Sequence, residues 1–239
     1  MPLTIWNQPP PPPRQRALGR PEIVAAAIAV ADESGAAGLT MKGVAARLGA
    51  YTPMALYRYV HSKDGLVDLM LDAAAAQVPV PARPGPDWRA DLEHIAHGTH
   101  AMIGRHGWYA ELVHTRPPAG PHQMRRLEFM LAVLVGQGAG VADAMTWTAL
   151  IDRHVFGAGR QESEESHAER RAGLSDPRRQ HAAFAEVRDL VAGYGDLPNV
   201  TAWLAAPTGP DPQAQFALGL RYLLDGIAAD LRHRVRSTA

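Results

Sequence analysis

The chain has no cysteine, which excludes disulfides, zinc–thiolate centres and cysteine nucleophiles. Aromatic and β-branched residues are few and alanine dominates the apolar fraction, a balance that favours helix over sheet. No apolar run approaches the roughly 20 residues that a membrane-spanning helix needs. The first residues lack the basic-then-apolar order of a signal peptide, so a cytoplasmic protein without a membrane partner is expected. The sequence also lacks G-x-S-x-G, a P-loop, G-x-G-x-x-G and H-E-x-x-H, and no enzyme is expected. Finally, it lacks an excess of either charge: 24 basic residues balance 24 acidic ones. Division of the chain alters that last picture. Residues 1–65 carry seven Arg or Lys against four Asp or Glu, and residues 66–239 carry 17 against 20. A basic front on a slightly acidic body is the sign a nucleic-acid-binding module would give.

What the chain does have is helical periodicity broken by proline and glycine. Five consecutive prolines at 9–13, followed by Arg14 and Arg16, predict an extended, disordered tail over residues 1–19. Pro21 and Glu22 suit a helix start, Ile23, Ala27, Val30 and Ala31 recur at helical spacing, and Gly35 and Gly38 end the segment, predicting a helix over 21–34. Thr40 is a candidate cap for a second helix with Val44, Ala45 and Leu48 inside, and Gly49 turns the chain. Thr52-Pro53 caps and starts a third helix to about 60, and Ser62 caps a fourth that runs to about 77. Four prolines and a glycine in 78–87 make a linker.

Further helices are predicted over 87–107, 108–114, 121–137, 141–158, 178–193 and 212–233. Residues 161–177 are charged and read as a mobile connection, and 195–212 as turn-rich around Val200, Trp203 and Leu204. No strand alternation is present. The expected fold is all-α: a three-helix helix-turn-helix domain over 20–66, and a larger helical domain over 67–239.

Residues 40–63 hold the chemistry. A short helix, a glycine turn and a second short helix form a helix-turn-helix, whose second helix lies in a DNA major groove with its N-terminal half toward the bases. Tyr51, Thr52, Pro53 and Met54 occupy that half, and reach bases through a hydroxyl or by apolar contact with thymine methyls. Leu56 and Val60, one turn apart, face the domain core. Arg58 and Tyr59 flank the groove, with base and phosphate both open to them. His94, His97 and His100 recur every three residues, which drifts about 60° per step around a helix and disfavours a single metal site. No metal and no cofactor are expected.

These residues also carry a resemblance. L-T-M-K-G-V-A-A-R-L-G at 39–49 and A-L-Y-R-Y-V-H-S-K-D-G-L at 55–66 resemble the DNA-binding domain of the tetracycline-repressor (TetR) family, with six residues, 50–55, where the common pattern has five. D-W-R-A-D-L at 87–92 and F-A-L-G-L-R-Y-L-L-D-G-I at 216–227 resemble the ligand-binding domain of the tetracycline-repressor branch. The resemblance implies that Tyr57 bonds a phosphate, and that Lys63, like Thr40 and Lys42, clamps the DNA backbone at a helix N-terminus.

It further implies that 67–239 is a ligand-binding and dimerisation domain, and that the chain is a homodimer on double-stranded, near-palindromic operator DNA, released by an unknown small-molecule effector. The effector cavity would lie among the helices between 87 and 195, with Met102, Trp108, Met124, Phe129, Trp147, Ile151 and His154 as candidate lining. Phe216, Leu220, Leu224 and Ile227 of the last helix would form the dimer interface. An activator of the same fold, or an all-α small-molecule binding protein, are the alternatives.

Overall fold

The computed structural model describes residues 5–7, 18–49, 51–172, 176–205, 209 and 211–237. Among these residues there are helices and loops and no strand. In chain order the helices are α1 (Arg20–Gly38), α2 (Met41–Leu48), α3 (Pro53–Val60), α4 (Lys63–Ala75), α5 (Trp88–Arg105) and α6 (Trp108–Leu112). They continue as α7 (Pro121–Gly136), α8 (Val141–Ala172), α9 (Pro177–Ala192), α10 (Pro198–Ala205) and α11 (Pro212–Ser237).

The starts of the front helices follow from their caps. Thr40 Oγ1 accepts the Gly43 N–H at 3.0 Å, Thr52 Oγ1 that of Ala55 at 3.3 Å, and Ser62 Oγ that of Gly65 at 2.9 Å. Asp87 accepts from the N–H groups of Arg89 and Ala90 at the head of α5. Each cap satisfies donors that a helix start leaves open, worth about 1 kcal/mol apiece. Gly49 turns between α2 and α3 with φ 79°, a region that side chains with a Cβ avoid.

The front unit is built on α1. Ile23 and Ala27 of α1, Val44 of α2, and Leu56 and Val60 of α3 are fully buried together with Leu66 of α4. Helix α4 is shared: it packs on α1 and α3 on one side, and on α5, α6 and α7 on the other. Behind it, α5, α7 and α8 pack against one another and α11 lies along α8. Gly159 lets α8 approach α5 closely, since a Cβ there would press on the side chain of Ile103.

Four sequence expectations change. Helix α1 passes beyond 34: Gly35 breaks it at φ 72° and ψ 177°, and helical geometry resumes up to Gly38. The charged stretch after 160 continues α8 as helix to Ala172. Arg160 pairs with Glu164 and Gln161 with Glu165 at i,i+4, so local side-chain bonds support what an apolar stripe does not. Residues 198–205 form α10, where Leu204 is buried and Trp203 sets its ring 5.8 Å from that of Phe184 on α9.

The fourth change concerns the tail. Residues 5–7 form one 3-10 turn against α4 with Ile5 buried, because an isoleucine and a tryptophan in sequence have apolar surface to hide. The proline run, Arg14 and Arg16 lie outside the described residues.

Candidate DNA-reading face and effector cavity

Helix α3 has two unlike sides. Leu56 and Val60 close onto α1 and α4, while Met54 stands 74% exposed and Tyr57 and Arg58 are exposed beside it. Tyr51 and Thr52 are also exposed, and Pro53 is half-buried at the first helical position. Tyr59 turns partly inward against the core, and its carbonyl accepts the Arg20 Nε–H at 2.9 Å, which pins the start of α1 to the end of α3. Burial there lowers the Arg20 pKa from the ordinary guanidinium value.

Thr40, Lys42 and Lys63 are exposed at the N-terminal turns of α2 and α4. The unpaired amides of those turns and the two ammonium groups together suit a phosphate. Arg47, by contrast, is held by both carboxylate oxygens of Glu33 at 2.7 and 2.8 Å. Of the candidate DNA residues, Pro53 and Tyr59 are half-buried and the others are exposed.

A cavity of about 430 Å³ lies between α4, α6, α7 and α8. One wall is aromatic: the Tyr109 and Phe156 rings are 6.2 Å apart, and His114 meets Phe156 edge-on at 5.3 Å. Met124, Leu127 and Val113 add apolar surface, and Gln123, Arg126 and Asp152 add polar groups. Burial disfavours the charge on Arg126, but the Asp152 carboxylate outweighs burial and raises its pKa above the ordinary guanidinium value. Arg126 also donates through Nε to Thr99 Oγ1 at 3.1 Å, so its charge and its geometry are both fixed. Burial pushes the Tyr109 hydroxyl pKa up from 10.0.

Of the candidate lining residues, Met124 faces this cavity. Met102, Phe129, Trp147 and Ile151 are buried in the common core. Trp108 is buried beside a second, polar cleft and donates its Nε1–H to Asp32 Oδ1 at 2.7 Å. His154 bonds the Phe216 carbonyl through Nε2 at 2.9 Å and stacks on the Phe216 ring. Tyr109, Gln123, Arg126, Asp152 and Phe156 line the cavity without having stood out in the sequence. One signal was available: Arg126 occupies the same helical row as Met130 and Leu134, both fully buried, and a charge in such a row needs a partner. Of the histidines of α5, His94 bonds the Pro79 carbonyl, while His97 and His100 both pack on the Phe216 ring, edge-on at 5.2 Å and stacked at 4.0 Å, and His100 also bonds Glu162.

The cavity is tied to the front unit by named bonds. Arg116, in the loop after α6, lines the cavity and reaches α4: Nε donates to Asp68 Oδ1 at 2.6 Å and Nη1 to Asp64 Oδ2 at 3.0 Å. Asp72, two turns from Asp64 on the same helix face, accepts the N–H groups of His122 and Gln123 at 2.9 and 3.1 Å. It thereby caps α7 from another helix, and a Cβ on Gly120 would collide with its carboxylate. On the other side, Asp32 of α1 joins His106 Nδ1 at 2.8 Å as well as Trp108.

The four residues expected at a dimer interface point elsewhere. Phe216, Leu220, Leu224 and Ile227 are 0–3% exposed within one chain and belong to the core that α11 shares with α8. Periodicity marked them as a buried stripe, and that stripe is satisfied by the chain's own helices. The exposed surface of α8 and α11 instead carries Leu150, Tyr222 and Gly226.

Residues 80–231 match the family described as tetracyclin repressor-like, C-terminal domain. The HTH-type transcriptional repressor DrrR1 of Streptomyces coeruleorubidus is 37% identical over 206 residues, covering 86% of this chain and 75% of that protein. An HTH-type transcriptional regulator of Saccharopolyspora erythraea is 34% identical over 229 residues, covering 95% of this chain and 92% of that one. The fold of the TetR family protein ActR of Streptomyces coelicolor, solved in complex with actinorhodin, is similar with a TM-score of 0.71. That likeness covers 90% of this chain and 99% of that one at 24% identity.

Proposed function

Since the chain belongs to the tetracycline-repressor family of DNA-binding transcription regulators, we propose that it is a homodimeric repressor of a near-palindromic operator, released when a small organic molecule enters the cavity behind α4. The observation that carries this reading is the position of Arg116. One side chain both lines the cavity and holds Asp64 and Asp68 of the helix that follows the reading helix. A molecule that competes for Arg116, or moves the loop that carries it, alters the seating of α4 and with it the spacing of two reading helices. Two such helices must fit major grooves one turn apart, about 34–36 Å, so a small shift costs both half-sites at once.

The family of the curated relatives supports the DNA role, and the size and aromatic wall of the cavity support an organic effector. The ActR complex with actinorhodin supports the idea that a helical body of this shape can house one. The exposed Leu150, Tyr222 and Gly226 on α8 and α11 suit a second copy packed across those helices. We place the protein in the cytoplasm, where its operator is.

The test is selection of bound duplex from a random pool with the purified chain. Enrichment of a site with two-fold-related halves about one helical turn apart is expected. A pool that enriches no such site overturns the repressor reading.

A further inference from the structure

We propose that α3 reads each operator half-site through one thymine methyl, met by Met54, and one guanine, met by Arg58. This rests on the DNA-binding reading above and adds the base chemistry to it. The exposed groups of α3 are a short list. Its sequence, P-M-A-L-Y-R-Y-V, holds no Asn or Gln to pair adenine through N6 and N7, and no Asp or Glu to accept from cytosine N4. Pro53 has no N–H, and the Thr52 oxygen already accepts from Ala55. Tyr51, just before the cap, and Thr52 keep hydroxyl donors at this end, and the apolar group beside them is Met54, 74% exposed in the free protein. An apolar side chain left in water at the tip of a reading helix finds one apolar feature in the major groove, the 5-methyl of thymine.

Arg58 lies one helical turn further on, on the same side as Met54. The other guanidinium groups described on α1–α4 are engaged, Arg20 with the Tyr59 carbonyl and Arg47 with both oxygens of Glu33. Among the described residues, no bond holds Arg58. Its planar fork is free to meet O6 and N7 of guanine together, the commonest specific pairing in the major groove. Nothing in the fold depends on either side chain, so both can be changed without disturbing the core.

The experiment starts from the operator enriched in the pool selection, so the absence of any operator sinks the function and leaves this inference without a premise. With an operator in hand, each thymine is replaced by deoxyuridine, which removes the methyl alone, and each guanine by 7-deazaguanine, which removes N7 alone. One deoxyuridine position per half-site should weaken the wild-type chain about fourfold, the worth of one buried methylene-sized group. The Met54→Ala chain should show no loss at that position. One 7-deazaguanine position should weaken the wild-type chain about tenfold and leave Arg58→Ala unaffected. The inference is overturned if deoxyuridine is neutral everywhere, or if Met54→Ala loses as much as wild type. It is equally overturned if Arg58→Ala weakens all sequences evenly and lowers the salt slope by about one, the mark of a phosphate contact.

Discussion

Arg116 and Asp68 form a forked pair, Nε to Oδ1 at 2.6 Å and Nη2 to Oδ2 at 3.2 Å, across the seam between the cavity wall and α4. Asp68 is 5% exposed, so the arginine is what makes its burial tolerable. Arg116→Ala should lower the unfolding free energy by about 3 kcal/mol, because the carboxylate stays buried without its cation. Arg47→Ala breaks an equally short but exposed pair with Glu33 and should cost less than about 1 kcal/mol. Urea unfolding of the two variants compares them directly, and equal costs would deny the pair its structural weight.

The proposed backbone clamp at α4 gives a second measurement. Lys63→Ala should reduce the salt slope of operator binding by about one per half-site and weaken all sequences alike. Tyr57→Phe removes one hydroxyl and should weaken binding by about tenfold or less at fixed salt, as one hydrogen bond would. Titrations at several salt concentrations separate the two effects. Unchanged slope and affinity in both would remove α4 and Tyr57 from the DNA interface.

Association of two copies is testable by position on α11. Leu224 is fully buried, and Leu224→Ala should cost about 2–5 kcal/mol of stability. Tyr222 is 63% exposed, and Tyr222→Glu should leave the helical signal intact while converting dimers to monomers. Sedimentation velocity reads the outcome. A Tyr222→Glu chain that remains dimeric would place the contact on another surface.

Tyr109 sets a pH dependence. Burial raises its pKa above 10.0, so the folded chain keeps the phenolic proton when the unfolded chain has lost it. Below about pH 10 both states are protonated and the group is silent. As pH rises beyond that, the unfolded state alone releases the proton, and stability falls until the folded value is passed. Tyr109→Phe should flatten the decline in urea midpoint between about pH 9.5 and 11. An unchanged slope would assign the alkaline loss to other groups.

The front of the molecule was legible because its instructions are local. Thr40, Thr52 and Ser62 state where helices begin, and Leu56 and Val60 state which side of α3 faces inward. The cavity was not legible, since its lining comes from four helices and its polar anchor, Arg126 with Asp152, joins residues 26 apart in sequence. An arginine read alone looks solvated. The stripe on α11 shows a different limit: periodicity says that Phe216 and Leu224 are buried, but not whether their partner is α8 or another molecule. The far half of α8 was hidden because charge pairs at i,i+4, and not apolar spacing, support it.

Helix α4 carries Lys63, the proposed DNA clamp, at one end and the cap of α7 near the other. Lys63 and Asp72 are nine residues apart on a rigid rod, about 13 Å at a helical rise of 1.5 Å per residue. The rod is therefore a lever arm with a known length. A tilt of about 10° pivoting at Asp72 carries the Lys63 backbone through about 2 Å, most of the length of a hydrogen bond. Under the proposed mechanism, an adjustment inside the cavity no larger than a side-chain rearrangement would be enough to lift Lys63 from a phosphate.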